Sequence, residues 1–387
     1  MNILNAVHWV DERISDKYCR NVLRHSAELI KRKSENPPGD EYDASLYCKS
    51  VLEAVGFSVE WEEFESKRCN LIATIGNKDN IGLILNGHLD VVPATGEWKY
   101  PPYDGVIVDN RLYGRGSADM KGGVAAMLAA AEGLADNFVF SDTGFMLLFT
   151  ADEERINKGI RHILSAKKLK ARATVIGEPT ELNICLGNKG YASYYIKTRG
   201  LACHASTPEN GINAIYKMGR VLGKLEKFAV EVKNIKDDHL GPVSFNVGTI
   251  KGGTQTNIVP DECVIEVERR VLPGETNEAV LKSIQAAVGD LAEVHNRSWI
   301  DAGWLNKEHG LVLSAAKAIS HVTGNAPDID KFQASTESCF FSIDCKIPTI
   351  IVGPGSLGMA HKIDEYVPLN ELYSAVRVYS ILSLLYL

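Results

Sequence analysis

Residues 81–93 read IGLILNGHLDVVP and combine an apolar run with the polar residues that follow it. The run at 81–85 is short and mostly apolar, which is typical of a strand covered on both faces. His88 and Asp90 come directly after it, and residues at i and i+2 of an extended chain point the same way. Asp90 can therefore hold the imidazole of His88, as carboxylates beside metal-binding histidines do. A His-x-Asp surface turn is the simpler alternative.

Similar apolar runs recur along the chain and alternate with helical spacing. Further buried strands are predicted at 71–75, 145–150, 174–176 and 349–352. Helices are predicted near 17–33, 42–55, 122–134, 158–168, 305–322 and from residue 369 onward. This alternation predicts an α/β fold, in which a doubly wound and mostly parallel sheet carries helices on both faces.

The pattern changes near residue 190. Strands of period two are expected at 191–197 and 263–269, with another near 243–250 and helices at 212–228 and 278–294. The order predicts a ferredoxin-like α+β lid domain at 191–300, inserted into a catalytic domain formed by 1–190 and 301–387. Because period-two strands offer pairing edges, we also expect this domain to form a homodimer.

Further acids and a second histidine stand in motifs that follow predicted strands or begin a helix. The motifs are GRGSADMKGG (114–123) with Asp119, TADEE (150–154) with Glu153 and Glu154, GEPT (177–180) with Glu178, and a late Ala360-His361. Each has a simpler explanation alone: a helix cap, a solvated helix start, a loop acid or a solvated histidine. Together they fall at the end of a doubly wound sheet where ligands bind. Two histidines and three carboxylates could hold two divalent ions, which suits Zn²⁺, with Co²⁺ or Mn²⁺ possible, and leaves a further carboxylate as a base.

The composition restricts the partners. Among 387 residues, 42 Lys plus Arg stand against 49 Asp plus Glu, and the net charge of -7 argues against coating nucleic acid or anionic membrane. The chain has neither a basic apolar leader nor a run of about 18 apolar residues, so no signal peptide or membrane span is expected. Eight cysteines without a C-x-x-C pair indicate reduced thiols, and we expect a cytoplasmic protein.

The ordered motifs NGHLDVVP, GRGSADMKGG, TADEE, GEPT and AH resemble the M20 family of co-catalytic metallohydrolases over about 32–369. Within that family, they are most similar to the branch of acetylornithine deacetylase and succinyl-diaminopimelate desuccinylase. The resemblance implies two zinc ions bridged by Asp119. It implies that His88 and Glu178 complete one site, and that Glu154 and His361 complete the other.

The resemblance also implies roles beyond the metal ligands. Asp90 would orient His88, Glu153 would be the general acid/base, and Asp152 would be structural. In the inserted domain, GLACHAS (200–206) resembles the family's lid motif, whose histidine, here His204, reaches an active site and donates to the oxyanion. Asn257 and Arg270 match lid positions used on the substrate, whereas the adjacent Arg269 is expected to be a solvated strand residue.

The motif ASTES (334–338), with its Thr336-Glu337 pair, resembles the deacetylase side of the branch more than the desuccinylase side. We therefore predict a dinuclear zinc amidohydrolase acting on a small N-acyl amino acid, with acetylornithine as the leading substrate. The alternatives are a metallo-exopeptidase with the same machinery, which cleaves a dipeptide or a C-terminal residue, and a non-catalytic binding protein on this fold.

Overall fold

Helices and strands alternate through most of the chain in the computed structural model, which describes residues 1–14 and 16–387. The helices are α1 (Ile3–Arg13), α2 (Asp16–Lys31), α3 (Tyr42–Ala54), α4 (Lys121–Asn137), α5 (Lys158–Ala166), α6 (Ala214–Glu231), α7 (Asn277–Val288), α8 (Gly310–Thr323) and α9 (Leu369–Tyr386). The strands are β1 (Ser58–Glu65), β2 (Arg68–Ile75), β3 (Ile81–His88), β4 (Val106–Val108), β5 (Arg111–Tyr113), β6 (Gly144–Thr150), β7 (Ala173–Ile176), β8 (Ile184–Asn188), β9 (Gly190–Arg199), β10 (Lys236–Asp237), β11 (Gly241–Pro242), β12 (Phe245–Gly252), β13 (Glu262–Val271), β14 (Glu293–Ile300), β15 (Gly303–Trp304), β16 (Ile329–Phe332), β17 (Thr349–Ile351) and β18 (Tyr366–Pro368).

The chain divides into two units. The first contains Met1–Gly187, Leu305–Phe332 and Thr336–Leu387, and the second contains Asn188–Trp304 and Gln333–Ser335. In the first unit, the strands run in the order β1-β2-β6-β3-β7-β17-β8, and β16 pairs with β8. The inner pairs β6-β3, β3-β7 and β7-β17 are parallel, whereas β1-β2, β2-β6 and β17-β8 are antiparallel. The predicted α/β fold with a mostly parallel central sheet is confirmed.

Close packing at the centre of the first unit depends on glycines. Every residue of β3 is buried. A Cβ at Gly87 would lie 2.8 Å from the Met120 side chain and 2.9 Å from that of Val124, so α4 lies directly against this face of β3. A Cβ at Gly123 would lie 2.3 Å from the Gly177 carbonyl oxygen. Small residues thus bring the start of α4 close to the end of β7, and with them the loops that carry Asp119 and Glu178.

In the second unit, the main sheet has the order β12-β13-β9-β14, and all its pairs are antiparallel. Helices α6 and α7 complete the order β-α-β-β-α-β that a ferredoxin-like fold requires. Its core is formed by alternate strand residues and one face of each helix, including Tyr194, Ile196, Leu225, Ile265 and Ile284. This ferredoxin-like prediction is also confirmed.

Two local expectations in the second unit are wrong. The helix predicted at 278–294 ends at Val288, because Gly289 adopts a positive φ of 65°, and β14 begins at Glu293. Arg269, expected to be solvated, is 2% exposed, and its NH1 and NH2 groups donate to Glu275 at 2.9 and 2.6 Å. The strand alternation itself turns Arg269 toward the interior, where a bidentate carboxylate partner satisfies the charge.

Among the helices of residues 1–14 and 16–387, none combines the length and apolar character that a membrane span needs. All eight cysteines are present as thiols and most are buried. Helix α1 and strand β1 have no counterpart among the elements expected from sequence.

Candidate metal centre

The predicted site residues of the first unit lie together at one edge of its sheet. Parallel strands β3, β6, β7 and β17 end at the same edge, and the loops that follow them carry side chains toward one another. The loop before α4 contributes Asp119 to the same group. The side chains brought together in this way are those of His88, Asp119, Glu153, Glu154, Glu178 and His361.

Ligand atoms in this group are close enough to share metal ions. One atom each of His88, Glu153 and Glu178 lie within 4.8 Å of one another, and so do atoms of His88, Asp119 and Glu154. The Nε2 atom of His88 is 3.2 Å from Oδ1 of Asp119 and 3.7 Å from Oε1 of Glu178. Glu153 thus lies within 4.8 Å of His88, as the predicted ligand Glu178 does.

The second histidine contacts the other side of Asp119. Nε2 of His361 lies 3.5 Å from Oδ2 of Asp119 and 3.1 Å from each carboxylate oxygen of Glu154. His361 has a positive φ of 63°, a costly backbone conformation that often occurs at functional sites. The two oxygens of Asp119 therefore face two different imidazoles. Asp119 does not cap α4, whose N-cap residue is Met120 and has no side-chain capping bond.

The hydrogen bonding of His88 defines its tautomer. Nδ1 of His88 lies 2.9 Å from the main-chain carbonyl oxygen of Asp90. Since a carbonyl can only accept, Nδ1 carries the proton, and in the neutral ring the lone pair is on Nε2, which faces Asp119. The sequence predicted that Asp90 orients His88. The direct contact is made by the main chain, because the nearer oxygen of the Asp90 carboxylate is 3.6 Å from Nδ1.

The buried carboxylates at the site are crowded together. Burial raises the pKa of Glu178 and Glu153 well above the usual range, and neighbouring carboxylates add to this rise. Although burial opposes a charge on His88, its carboxylate neighbours raise the pKa of this imidazole well above 6.5. Burial also raises the pKa of Glu154. Such crowding of buried carboxylates is relieved by divalent ions, and imidazole and carboxylate donors suit zinc. The residues present therefore fit a metal centre.

Glu365 and Arg115, which had no predicted role, support the main chain at Asp119. Oε1 of Glu365 accepts the main-chain N–H groups of Ala118 and Asp119 at 2.9 and 3.0 Å. Its other oxygen accepts from NH1 of Arg115 at 2.5 Å. Glu365 and Arg115 are both buried. Arg115 lies within the motif at 114–123, but its pairing with Glu365 across 250 residues has no local signal in the sequence.

In the second unit, His204 is exposed and its tautomer is also defined. Nδ1 accepts the main-chain N–H of Ser206 at 3.1 Å and contacts the Ser206 hydroxyl at 2.6 Å. Because a main-chain N–H can only donate, the proton of neutral His204 is on Nε2, which can then donate outward. Arg270 is half-buried, donates to Ser335 Oγ at 2.6 Å and pairs with Glu268 at 2.9 Å. Asn257 is exposed, and its main-chain carbonyl oxygen accepts a hydrogen bond from the Ala205 N–H at 3.0 Å.

The fold and the donor set define an α/β protein with a metal centre of histidines and carboxylates. Residues 84–384 match the family model described as peptidase family M20/M25/M40. The chain belongs to this family, and it is therefore a hydrolase. The resemblance seen in the sequence motifs is confirmed.

Individual relatives agree with the family assignment. The chain is 32% identical over 352 residues to an acetylornithine deacetylase of Aliivibrio fischeri, covering 88% of this chain and 91% of the relative. It is 30% identical to a succinyl-diaminopimelate desuccinylase of Marinobacter nauticus, over 92% of this chain and 96% of the relative. An M20 family metallo-carboxypeptidase of Sulfolobus solfataricus shares the fold with a TM-score of 0.77 at 20% identity, covering 94% of this chain and 99% of that one.

Proposed function

We propose that this hydrolase is a dinuclear zinc enzyme that removes the acyl group from a small N-acyl amino acid, with N-acetylornithine as the leading substrate. The observation that carries the proposal is Asp119, whose two carboxylate oxygens face His88 on one side and His361 on the other. Relatives at about 30% identity include enzymes named for deacetylation and for desuccinylation, and both cleave an amide on an amino acid nitrogen.

The proposed ligand assignment is the one that the family resemblance implies, and the contacts of His88 with Glu178 and of His361 with Glu154 support it. His88 and Glu178 would hold one ion, Glu154 and His361 the other, and Asp119 would bridge them. Mixed imidazole and carboxylate donors favour Zn²⁺ and also accept Co²⁺. When bound, such ions lower the pKa of a coordinated water toward about 7 and polarise the amide carbonyl.

Glu153 is the proposed general acid/base. It is adjacent to the ligand Glu154 in sequence, and its own carboxylate lies near His88 and Glu178. Burial and the neighbouring carboxylates raise its pKa, which suits a group that must take up a proton and release it again near neutral pH. Glu153 would accept a proton from the attacking water and pass it to the departing amine nitrogen.

We propose that residues 191–300 form a lid and dimerisation domain. It is inserted into a catalytic domain composed of residues 1–190 and 301–387. His204 would donate its Nε2 proton to the developing oxyanion, and the outward donor deduced from its contacts supports this role. Arg270 would bind the substrate carboxylate through its guanidinium fork, and Asn257 would add a polar contact. The cytoplasmic location stays a prediction from sequence.

A homodimer is proposed through strand β12. This strand is at the edge of its sheet, is largely exposed along its length and includes Ile250, which is 54% exposed. An exposed edge of this kind is a template for pairing with a second copy. Light scattering at micromolar concentration should give twice the chain mass, and Ile250→Lys should shift it toward the monomer. A monomeric mass for the unsubstituted chain would contradict the proposal.

The substrate proposal is tested with a panel of amides. The zinc-loaded and cobalt-loaded enzyme is offered N-acetyl, N-succinyl and N-formyl amino acids beside dipeptides. We expect the highest kcat/KM for N-acetyl substrates with a basic side chain. Preference for N-succinyl substrates would indicate a desuccinylase instead. Turnover of dipeptides alone would reject the deacylase and indicate the exopeptidase alternative.

A further inference from the structure

The carboxylate of Asp90 binds the turn that carries Glu153 and Glu154. Its Oδ1 accepts the main-chain N–H of Glu153 at 3.1 Å, and its Oδ2 accepts that of Glu154 at 3.1 Å. Asp90 is fully buried, so these bonds replace lost solvation. The imidazole of His88 is held by the Asp90 main-chain carbonyl, which any residue at position 90 would supply. The side chain of Asp90 therefore acts mainly on the turn.

Asn36 joins this carboxylate to a second one. Its Nδ2 donates to Oδ2 of Asp90 at 2.8 Å and to Oδ1 of Asp152 at 2.9 Å. A primary amide can give one hydrogen to each carboxylate without adding a negative charge, which few side chains can do. Asn36 is itself fixed, because its N–H donates to the Val91 carbonyl at 2.8 Å and the Val91 N–H donates to the Ser34 carbonyl at 2.9 Å.

Arg68 binds the same oxygen of Asp152 as Asn36 does. Its NH2 group donates to Oδ1 of Asp152 at 2.9 Å, while Nε and NH2 bind Glu41 at 2.8 and 2.9 Å. The second oxygen of Asp152 accepts the Lys158 N–H at 3.1 Å. Asp152 has a positive φ of 69°, an unfavourable conformation that persists only where contacts enforce it.

We propose that Asn36 and Arg68 are positioning residues that place Glu153 and Glu154 at the metal centre. They act through Asp90 and Asp152, and the four residues Asn36, Arg68, Asp90 and Asp152 are called the anchor network below. The anchor network holds both flanks of the turn. Its donors are the side chain of Arg68, from β2, and that of Asn36, from the segment after α2. Its loss should move Glu153 and Glu154 while leaving His88 and Glu178 in place. The inference rests on the proposed function for the roles of these acids.

The first test needs neither metal nor activity. Amide hydrogen exchange of the metal-free full-length chain reports whether the N–H groups of Glu153 and Glu154 are bound to Asp90. In the unsubstituted chain, we expect the peptide over 150–157 to be protected. Asn36→Leu, which removes both donors at similar size, should speed its exchange at least about tenfold. The peptide over 173–179, which carries Glu178, should exchange at an unchanged rate.

Matched variants separate positioning from general damage. Asn21→Leu removes another amide-to-carboxylate bond, from Nδ2 of Asn21 to Glu132 at 2.6 Å, and should leave exchange at 150–157 unchanged. Asn36→Ser keeps a single donor and should have an intermediate effect, so the comparison survives if Asn36→Leu fails to fold. Arg68→Lys should restore part of the protection that Arg68→Met loses. Unprotected amides in the unsubstituted chain, or unchanged exchange in Asn36→Leu, would overturn the proposal.

The second test uses Zn²⁺ affinity in a double-mutant cycle with Asn36→Leu. The double variant Asn36→Leu/Glu154→Gln should bind Zn²⁺ only a little more weakly than either single variant, because both changes act on the same ion. In the double variant Asn36→Leu/Glu178→Gln, the fold-losses of Zn²⁺ affinity caused by the two single changes should multiply. Coupling to Glu178 instead of Glu154 would show that the network acts through His88 and would reject the inference. A native chain that binds no Zn²⁺ would reject the proposed function, while the exchange result still decides the positioning role.

In steady-state kinetics, Asn36→Leu should lower kcat at least about tenfold with KM changed less than about threefold, since Glu153 acts on the proton and not on substrate binding. A rise in KM at constant kcat would contradict the positioning of Glu153.

Discussion

The Asn86 side chain, near the end of β3, donates a hydrogen bond from Nδ2 to Oε2 of Glu337, 2.9 Å away, across a separation of 251 residues. The hydroxyl of Thr150 donates to the same oxygen at 2.8 Å. Oε1 of Glu337 is buried and has no hydrogen-bond partner within residues 1–14 and 16–387. This acid ties the ends of the two strands that lead to the metal centre, and it does so at the cost of its own solvation.

Glu337 should make stability depend on pH. Burial raises its pKa to about 7, although the bonds from Asn86 and Thr150 favour the ionised form. Between pH 4.5 and about 7, the unfolded chain has lost this proton and the folded chain retains it, so the free energy of unfolding falls as pH rises. Above this pH range, the ionised Glu337 lowers the free energy of unfolding by about 3 kcal/mol. Relative to the native chain, Glu337→Gln should gain stability as the pH increases from 4.5 to 7, measured by urea unfolding of the metal-free protein. A difference that is constant with pH would contradict this.

Replacement of Glu153 by glutamine should abolish most turnover. The amide has nearly the same shape but cannot accept the proton, and loss of a general acid/base typically reduces kcat by about 10²–10⁴. Zinc content, measured by elemental analysis, should stay at two ions per chain. A loss of one ion would instead make Glu153 a ligand. As a control, Glu132→Gln changes another buried acid, which binds Asn21 and Arg24, and should leave kcat within about twofold.

Metal removal should inactivate and destabilise the protein together. A chelator should abolish turnover, and added Zn²⁺ should restore it and raise Tm. An ion present at about 100 times its Kd contributes about 2.7 kcal/mol to the folded state. In Asp119→Asn, whose carboxylate lies between His88 and His361, the Zn²⁺-dependent rise in Tm should largely disappear. An unchanged rise in that variant would exclude Asp119 as a shared ligand.

The second unit should depend on Arg269 for stability. Arg269→Met removes a buried guanidinium and leaves the partly exposed Glu275 without its bidentate partner, and loss of one partner of a charged hydrogen-bonded pair costs about 1–3 kcal/mol. The matched change Arg297→Met breaks the exposed pair with Glu266 and should cost at most about 1 kcal/mol. Thermal unfolding of both variants tests this contrast, and equal losses would show that the burial of Arg269 is not the cause.

Local patterns were sufficient to predict the main elements and to group the residues that are proposed for the metal centre. The buried runs before His88 and Glu178 are strands because apolar residues of that length and bounding pattern must be covered on both faces. Once those strands are parallel neighbours, their ends meet, so residues such as Asp119 and His361 could be grouped before any distance was known. The family motifs sharpened this prediction because several of them occur in the correct order.

The sequence by itself determined the fold class, the family and the acids and histidines that gather at one sheet edge, because each follows from short periodic segments and ordered motifs. Only the tertiary structure decided what holds those side chains. Asn36, Arg68 and Glu337 have ordinary local surroundings, and their side-chain partners lie 27–251 residues away in the chain. Whether a buried polar group is satisfied depends on which groups the folded chain places beside it, and no local period encodes that.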